Sequence, residues 1–500
     1  MVGSGAPLPS WFTFYTFPGD VSNGESPNFR RLEGKKLTVE LVRNRGIMPP
    51  MNVIDRLQRL TGEQQANKAS SSTGDGPRAE EIRALRARIE TILSRRPEGR
   101  RAEAPGTARG NAVPLESLVA GTEMSNAAGS FFCAHQVAKG SSQHGERCIR
   151  DLTPLDMGLL AVLANEPALR ACEYREALFL DTETTGLAGG AGTVPFLVGL
   201  GWFEGEAFVT QQLFARDYAE EAAALLCLTE SLQGKRFLVS FNGKAFDANL
   251  LASRFIMNRL PDPLRGLPHC DLLHPARRLL SHRLADRRLG ALETAVLGFE
   301  REGDIPGSEI PQRYFDWLRR RDGRLMADIF LHNRLDILSL AALAAHLVGL
   351  IDSDGETARH PPGDRLAAAR LFLARSCPQE AIRLLGPLAA CGLPETAQAA
   401  CRELSLLHKG AGEWTEAAAL WEEMVRRNGE NVFALTELAK WCEHRRHDCR
   451  RALELTGQAL GSPDLKPEER AGLVARRERL ERKLATPVRK KTKPAPKPPL

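Results

Sequence analysis

The order of secondary-structure signals between residues 177 and 271 constrains the fold more than any other feature of the chain. Three apolar, β-prone runs follow one another with short connections: 177–182, 194–203 and 207–214. Helix and strand patterns then alternate, as helix 219–232, strand 237–241, helix 246–256 and a short strand at 269–271. Consecutive strands pair antiparallel, whereas strands joined through a helix run parallel. The sequence therefore predicts a mixed α/β sheet flanked by helices.

This order of elements is that of a ribonuclease-H-like sheet rather than a Rossmann sheet. We assign residues 114–352 to this α/β domain, with an N-terminal hairpin near residues 129–149 and a strongly apolar helix at 332–350. Residues 1–113 are rich in turn-forming residues, and we expect them to be largely disordered linker with a short helix near 80–95.

The chain becomes all-helical beyond residue 364. Similar segments begin at Glu380, Glu416 and Arg451, which gives offsets of 36 and 35 residues. Tetratricopeptide units repeat at about 34 residues and place a small residue where paired helices touch. We therefore predict tetratricopeptide-like helical repeats over 364–484, a surface suited to protein partners, and a basic, proline-rich tail over 485–500.

Composition excludes several classes of protein. Hydrophobic residues make up 43% and charged residues 26% of the chain, which is typical of globular proteins, and the net charge of +6 permits a nucleic-acid partner without requiring one. Ten cysteines without a Cys-x-x-Cys pair predict no disulfide framework. We find no uncharged apolar segment of about 18 residues and no signal peptide, so we expect a cytoplasmic protein without a membrane partner.

Two cysteines and two histidines in the N-terminal part of this domain could ligate zinc: Cys133, His135, His144 and Cys148. Their spacing fits no standard zinc pattern. We interpret them instead as incidental side chains of a hairpin.

Carboxylates gather where these elements end. Asp181 and Glu183 close the first strand, and residues two apart on a strand share a face. Two like charges this close are costly unless a cation lies between them, and oxygen ligands suit Mg²⁺ or Mn²⁺. Asp247 follows the fourth strand and opens a helix. His332 and Asp336 are four residues apart and share one face of the apolar helix.

The ordered set Asp181-x-Glu183, Asn242-x-x-x-Phe-Asp247 and a helix carrying Asp336 resembles the DEDD exonuclease superfamily. The segments 272–278 (LLHPARR), 304–311 (DIPGSEIP) and 332–339 (HNRLDILS) make the chain similar to the bacterial YprB-like ribonuclease-H-like family over about residues 115–350. Members of that family are regarded as metal-dependent nucleases and often carry a tetratricopeptide-like C-terminus. One branch, mitomycin repair factor B, works with a helicase in DNA repair.

The resemblance implies roles for individual residues. Asp181, Glu183, Asp247 and Asp336 match the four carboxylates that hold two divalent ions, Mg²⁺ or Mn²⁺. One subgroup has a tyrosine four residues before the last aspartate, and another has a histidine five residues before it. His332 stands at the four-residue spacing, so it departs from both patterns. We expect it to position or deprotonate the attacking water, although it could instead cap the helix or pack beside Asn333.

Several further residues have two interpretations each. Lys244 and Thr184 are candidates for substrate binding, although Lys244 could equally be a solvated residue at a helix start. Asn242 is a third candidate, or it forms the turn. The aromatic residues 314, 315 and 317 could stack a base, but we expect core packing. The arginine pairs 277/278 and 287/288 and the run 319–321 suit phosphate contacts, or they form exposed salt bridges.

Together these features predict a metal-dependent nuclease that hydrolyses phosphodiester bonds, a 3′–5′ DNA exonuclease in DNA repair with a helicase or other protein partner on its repeats. Two alternatives remain open. One is a structure-specific endonuclease for DNA or RNA that uses the same metals. The other is a non-catalytic nucleic-acid-binding scaffold that recruits partners through the helical repeats.

Overall fold

The computed structural model describes residues 112–186, 192–352, 360–463 and 465–485. Seven strands form one sheet in the order β1-β2-β7-β6-β5-β8-β9, and the short strands β3 and β4 form a separate pair. The strand bounds are β1 Gly121–Asn126, β2 Gly129–Ala138, β3 Gln143–His144, β4 Arg147–Cys148, β5 Ala177–Thr184, β6 Pro195–Glu204, β7 Ala207–Phe214, β8 Phe237–Ser240 and β9 His269–Asp271.

The centre of this sheet has the predicted ribonuclease-H-like arrangement. Strands β5, β6 and β7 pair antiparallel in succession, and β8 and β9 then add parallel to β5 on its other side. The parallel strands β5, β8 and β9 therefore end at one edge of the sheet. Strand β5 lies in the middle, and its carboxyl end carries Asp181 and Glu183.

The N-terminal hairpin prediction is wrong in its pairing. Strand β2 does not pair with residues 147–149. It lies between β1 and β7, so β1 and β2 together extend the sheet by two strands. The pattern of β1 hides this, because Gly121–Asn126 exposes most of its side chains at the sheet edge and shows no apolar alternation. Residues 147 and 148 pair with 143 and 144 in a small hairpin of their own.

Helices cover both faces of the sheet. In chain order they are α1 Met157–Ala164, α2 Glu221–Ser231, α3 Asp247–Met257, α4 Leu273–Leu280, α5 Leu289–Leu292, α6 Ile310–Arg320 and α7 Arg324–Ile351. Side chains of α2 and α3 pack with Leu178 and Leu180 on one face. Helix α7 packs with Phe179 on the other face. Alternate residues of β5 thus face opposite layers.

Helix α7 begins eight residues earlier than the predicted start at His332. Met326, Ile329 and Phe330 are buried in the same core as Tyr314 and give this first part its apolar face. His332 and Asp336 consequently lie well inside the helix rather than near its start. A side chain in mid-helix has a fixed direction, which suits a residue of a functional site.

We found no uncharged apolar segment of membrane-spanning length in the sequence. Helix α7 is nevertheless long and apolar enough to span a membrane, judged by length and composition alone. Within α7 an 18-residue window reaches a mean hydropathy of 1.7, and 67% of that window is buried inside the protein. A central core helix is apolar around much of its circumference, because neighbours contact it on several sides. Burial against the sheet accounts for the composition of α7.

The C-terminal part is all-helical, as predicted. Its helices are α8 Pro362–Ala374, α9 Pro378–Ala389, α10 Pro394–Ala411, α11 Trp414–Arg427, α12 Val432–His444, α13 Cys449–Leu460 and α14 Pro467–Ala485. Each packs against the next along the chain. Ala381, Ala417 and Ala452 are all fully buried, one in every second helix, as small residues at helix contacts should be. Their assignment to tetratricopeptide-like repeats stays a prediction, as does the boundary at 364.

Helix α8 shares the core of the preceding α/β elements. Leu371 and Phe372 are buried in the cluster that also contains Leu279 of α4 and Leu343 of α7. Asp364 at the start of α8 is fully buried, and its carboxylate accepts bonds of 2.8 and 3.0 Å from Arg283. This ion pair and the shared core fix the start of the helical region against α4.

The remaining predictions on structure have mixed outcomes. Tyr314 is fully buried and stacks on Phe196 with ring centroids 4.0 Å apart, and Trp317 is 5% exposed, so core packing is confirmed for both. Cys133 and His144 lie in different surroundings, and His144 contacts Ser339 at 2.8 Å. The hairpin that this interpretation assumed does not form, because β2 pairs with β1 and β7. The predicted helix at 80–95 and the tail beyond Ala485 lie outside the described residues.

Candidate active site

The carboxyl end of β5 and the middle of α7 face each other. Asp181 and Glu183 lie on the side of β5 that faces α7, and each contacts a residue of that helix. Asn333 Nδ2 donates a hydrogen bond of 2.9 Å to Asp181 Oδ2. His332 Nε2 lies 4.0 Å from Glu183 Oε1. The predicted shared face of the two carboxylates is therefore what the structure shows.

Helix α7 adds the fourth predicted carboxylate to this cluster. His332 and Asp336 are one helical turn apart, and His332 Nε2 lies 3.4 Å from Asp336 Oδ2. Ligand atoms of Glu183, His332 and Asp336 all lie within 4.8 Å of one another. One strand-end carboxylate, one helix carboxylate and an imidazole thus lie close enough together to bind one metal ion.

Asp247 reaches the cluster from the loop after β8. It is the first residue of α3, and its Oδ1 accepts a hydrogen bond from the hydroxyl of Thr182. Thr182 lies between Asp181 and Glu183 on β5 and faces the opposite layer, towards α3. Strand alternation places Thr182 on the face opposite Asp181 and Glu183, and the folded chain adds its contact with Asp247. This threonine therefore connects the carboxylates of the two faces at the sheet edge.

Burial raises the pKa of every carboxyl in the cluster. Burial raises the pKa of Asp181 well above its ordinary value, and the charges of Asp336, Glu183 and Asp247 raise it further. Burial raises the pKa of Glu183 to about 8, although the neighbouring His332 opposes this. The fully charged site is therefore unfavourable in the protein alone. A cation bound between these oxygens would relieve the repulsion.

Each of the three aspartates is held through one oxygen by a donor. Asp181 Oδ2 accepts from Asn333, Asp247 Oδ1 from Thr182, and Asp336 Oδ1 from Arg301. Donors that fix one carboxylate oxygen and leave the second oxygen to the metal are typical of metal sites. The donor set, four hard carboxylates with these supports, therefore fits a divalent cation such as Mg²⁺ or Mn²⁺.

Asn333 is a site residue that the sequence did not single out. Its side chain is fully buried, and its Oδ1 accepts a bond of 2.9 Å from Gln212 of β7. Asn333 packs against Gly199 of β6, where a Cβ atom would lie 2.3 Å from Asn333 Oδ1. The amide orientation is fixed by Gln212 Nε2, which can only donate, so Asn333 must donate to Asp181.

Arg301 places a buried positive charge beside the cluster. Its side chain is 7% exposed and forms a two-bond pair with Glu293, at 2.7 Å from Nε and 2.5 Å from Nη2. Nη2 also contacts Asp336. Glu293 is almost fully buried, so the pair stays closed and the guanidinium is fixed. No sequence pattern indicated a role for Arg301 beyond its charge.

Asp304 orients His332. His332 Nδ1 lies 2.7 Å from Asp304 Oδ1, and Arg301 Nη1 lies 3.3 Å from Asp304 Oδ2. Arg301 Nη1 also lies 3.3 Å from Nδ1, but Asp304 is the nearer partner, and a carboxylate can only accept. We therefore assign the proton to Nδ1, and Nε2 faces Asp336 and Glu183. Burial alone would lower the pKa of His332, but the charges of Asp336, Glu183 and Asp304 outweigh it and raise this pKa.

The three residues predicted to bind substrate lie around this edge, outside the carboxylate cluster. Asn242 has a left-handed backbone with φ of 67°, so its role in the turn is clear. Asp271 at the end of β9 accepts from the backbone N–H groups of Asn242 and Lys244, at 2.8 and 3.2 Å. The Lys244 side chain is exposed, and the Thr184 hydroxyl donates to the Gly186 carbonyl at 2.8 Å. Their substrate contacts stay predictions.

Comparison with known proteins agrees with this architecture. Residues 178–348 match the RNase_H superfamily, a span that runs from β5 to the end of α7 and includes all four carboxylates. The chain is 35% identical over 314 residues to the uncharacterized protein YprB of Bacillus subtilis (strain 168). That similarity covers 62% of this chain and 75% of YprB. The ribonuclease-H-like fold typically uses divalent metals and indicates nuclease-type chemistry on nucleic acid. The chain belongs to the YprB-like family of ribonuclease-H-like proteins.

Proposed function

We propose that this chain is a metal-dependent nuclease that acts as a 3′–5′ exonuclease on DNA. The observation that carries the proposal is that Glu183 and Asp336 lie beside His332, while Asp181 lies close enough to Glu183, Asp247 and Asp336 to feel their charges. Asp181, Glu183, Asp247 and Asp336 come from distant parts of the sequence and all have raised pKa values, which is the state of a cation site without its cation.

These four carboxylates would hold two divalent ions, Mg²⁺ or Mn²⁺. Bound there, the ions would supply Lewis-acid stabilisation of the charge that develops on a phosphodiester during hydrolysis. The protein contributes by holding the ligand carboxylates in place. Asn333, Thr182 and Arg301 each fix one oxygen of an aspartate, so the ligand geometry is set before any ion or substrate arrives.

His332 acts as the general base in this proposal. Its Nε2 faces the carboxylate cluster and accepts a proton from the attacking water, while Nδ1 stays protonated against Asp304. Asp304 is a positioning residue: it holds the tautomer and stabilises the imidazolium that forms. The four-residue spacing before Asp336 is sufficient for this role, because one helical turn places both side chains on the same face of α7.

The wider biological role follows from the family resemblance. We infer DNA as the substrate, repair as the setting, and a helicase or other protein as a partner of helices α8–α14. Stacked helices form extended surfaces that suit a protein partner. A cytoplasmic location belongs to the same proposal.

A nuclease panel tests the proposal. Purified full-length protein is incubated with end-labelled single- and double-stranded DNA and RNA, with Mg²⁺, Mn²⁺ or EDTA. The proposal expects stepwise shortening of DNA from the 3′ end with either metal and none in EDTA. Cleavage of substrates whose 3′ ends are blocked would establish an endonuclease instead. Binding without cleavage in every metal would establish a scaffold.

A further inference from the structure

A basic groove lies where helix α4 meets helix α8. A cavity of about 380 Å³ is lined by Arg277 and Arg278 of α4, Arg287 of the following loop, and Arg375 at the end of α8. His274 lines it as well, and no aspartate or glutamate does so among the described residues. An adjoining cavity of about 490 Å³ shares Arg278 with it. The α/β elements and the helical region thus build one positively charged groove together.

The guanidinium groups of this groove lack carboxylate partners within the described part of the chain. Arg277 and Arg278 are exposed and form no ion pair there. Arg287 donates only to the Leu284 carbonyl at 3.3 Å, and Arg375 only to the Val162 carbonyl at 3.1 Å. Burial and the nearby charge of Arg278 lower the pKa of Arg375, so these groups are close enough to repel each other.

Another arginine near this junction does have a carboxylate partner. Arg283, in the loop after α4, is neutralised by the buried carboxylate of Asp364 in α8, at 2.8 Å. Arg254 is likewise paired with Glu221 at 2.5 Å. Both of these arginines therefore have their charge neutralised by a buried carboxylate. The groove arginines repel one another, and that arrangement becomes favourable when an anion binds.

Helix α4, whose last turn carries Arg277 and Arg278, follows β9 directly in the chain. Helix α4 begins two residues after Asp271, at the edge where β5, β8 and β9 all end. Two strand spacings, roughly 10 Å, separate β5 from β9. A polynucleotide that leaves the carboxylate cluster at β5 and passes the loop at Lys244 would have to continue along α4 to its last turn, which carries Arg277 and Arg278.

We propose that this groove binds backbone phosphates of the polynucleotide whose end lies at the carboxylate cluster, and that α8 thereby takes part in substrate binding. This inference rests on the proposed nuclease function. Arginine forks match phosphate oxygens in two-bond geometry. No phenylalanine, tyrosine or tryptophan lines the groove among the described residues, so its four arginines supply the main contacts. Recognition is therefore of the backbone, independent of sequence.

Binding measured without catalysis tests the groove separately from the nuclease activity. Fluorescence anisotropy in EDTA follows a labelled 20-nucleotide single-stranded DNA bound to full-length protein at several salt concentrations. The double variant Arg277→Ala/Arg278→Ala should raise Kd about tenfold at low salt. The slope of log K against log salt should fall by roughly 1.4, because each phosphate contact on a single strand contributes about 0.7.

A matched control removes the same charge from the same helical position. Arg426 and Arg427 are adjacent in the last turn of α11, as the groove pair is in α4, but both are bound to Glu423 at 2.5 Å. Arg426→Ala/Arg427→Ala should keep the wild-type Kd and slope. Arg375→Ala provides a second groove variant, on α8 rather than α4, and should also raise Kd.

The outcomes are distinct. A wild-type Kd and salt slope in the groove variants would contradict phosphate binding by the groove. The same weakening of DNA binding in the Arg426/Arg427 control would contradict it as well. A wild-type protein that does not bind DNA or RNA at low salt would overturn it as well, and would leave an acidic protein as the ligand class. Absence of hydrolysis with Mn²⁺ in a protein that still shows groove-dependent binding would overturn only the nuclease proposal.

Discussion

His332 and Asp304 form a hydrogen-bonded pair, with Nδ1 of the imidazole 2.7 Å from Oδ1 of the carboxylate. The pair directs Nε2 at the carboxylate cluster and makes His332 a stronger base. Asp304→Asn would keep the shape but remove the charge that stabilises the imidazolium. We expect kcat to fall by about 10- to 100-fold.

A pH profile separates this role from a merely structural one. A base acts when it is neutral, so activity should rise as pH rises through the pKa of His332, which its carboxylate neighbours raise. Without the Asp304 charge that pKa must fall, so the rising limb of kcat should move to lower pH in Asp304→Asn. If Asp304→Asn lowers kcat but leaves the rising limb of the pH profile at the same pH, Asp304 only supports the fold.

Removal of the imidazole itself is the second prediction. His332→Ala should lower kcat by roughly 10² to 10⁴, the usual contribution of a positioned acid–base group. His332→Tyr should keep some activity, because a phenol can orient water, and it should flatten the profile near neutral pH. Rates are measured at saturating Mn²⁺. A wild-type rate and pH profile in His332→Ala would exclude His332 from the chemistry.

Stability of the metal-free protein should fall as pH rises. Glu183 has a pKa of about 8 in the folded protein, above its unfolded value, so the folded state binds more protons between about pH 4.5 and 8. The stabilising difference is present at low pH and is lost as pH rises through this window. Melting in EDTA should therefore show a falling Tm from pH 5 to 8, and Mn²⁺ should restore it most strongly at pH 8.

Asp181→Asn should modify that behaviour in a specific way. It removes one repelling charge while an amide still occupies the same volume, so Tm in EDTA should rise by roughly 2–4 °C, the effect of about 1 kcal/mol in a domain of this size. The stabilisation by Mn²⁺ should shrink in the same variant. A Tm that does not depend on pH or Mn²⁺ in the wild type would contradict the cation site.

Close packing at Gly199 gives a prediction about the fold of the site. A Cβ atom there would lie 2.3 Å from the buried Asn333 Oδ1, so Gly199→Ala must displace the amide that holds Asp181. Overpacking of this kind typically costs about 1–3 kcal/mol. Gly386→Ala in α9 is the control, since its Cβ atom would meet nothing within 4 Å and alanine favours helices. Chemical denaturation of both variants measures the difference.

The sequence predicted those parts of the site that depend on local periodicity. Asp181 and Glu183 share a face because a strand alternates, and His332 and Asp336 share a face because a helix repeats every 3.6 residues. The order of strands around β5 follows from the same patterns. These features need only short stretches of sequence.

The supporting contacts could not be predicted, because they join residues that are distant in the sequence. Thr182 and Asp247 are 65 residues apart, and Asn333 and Asp181 are 152 apart. Arg301 belongs to a loop without periodicity, and only the folded chain shows that Glu293 buries its guanidinium beside Asp336. Strand β1 escaped prediction for a different reason, since an exposed edge strand carries no apolar pattern.

Hydrolysis by matched variants shows whether the carboxylate cluster is a metal-dependent nuclease site. End-labelled DNA is incubated with wild type, Asp181→Asn and Glu204→Gln at saturating Mn²⁺. Glu204 is an exposed carboxylate at the opposite end of neighbouring β6, and glutamine there can still accept the hydrogen bond from Trp202. We expect wild type and Glu204→Gln to cleave the DNA, and we expect the cleavage rate of Asp181→Asn to be lower by at least about 10³-fold. Cleavage by folded Asp181→Asn at the wild-type rate would contradict a metal-dependent nuclease site in this cluster.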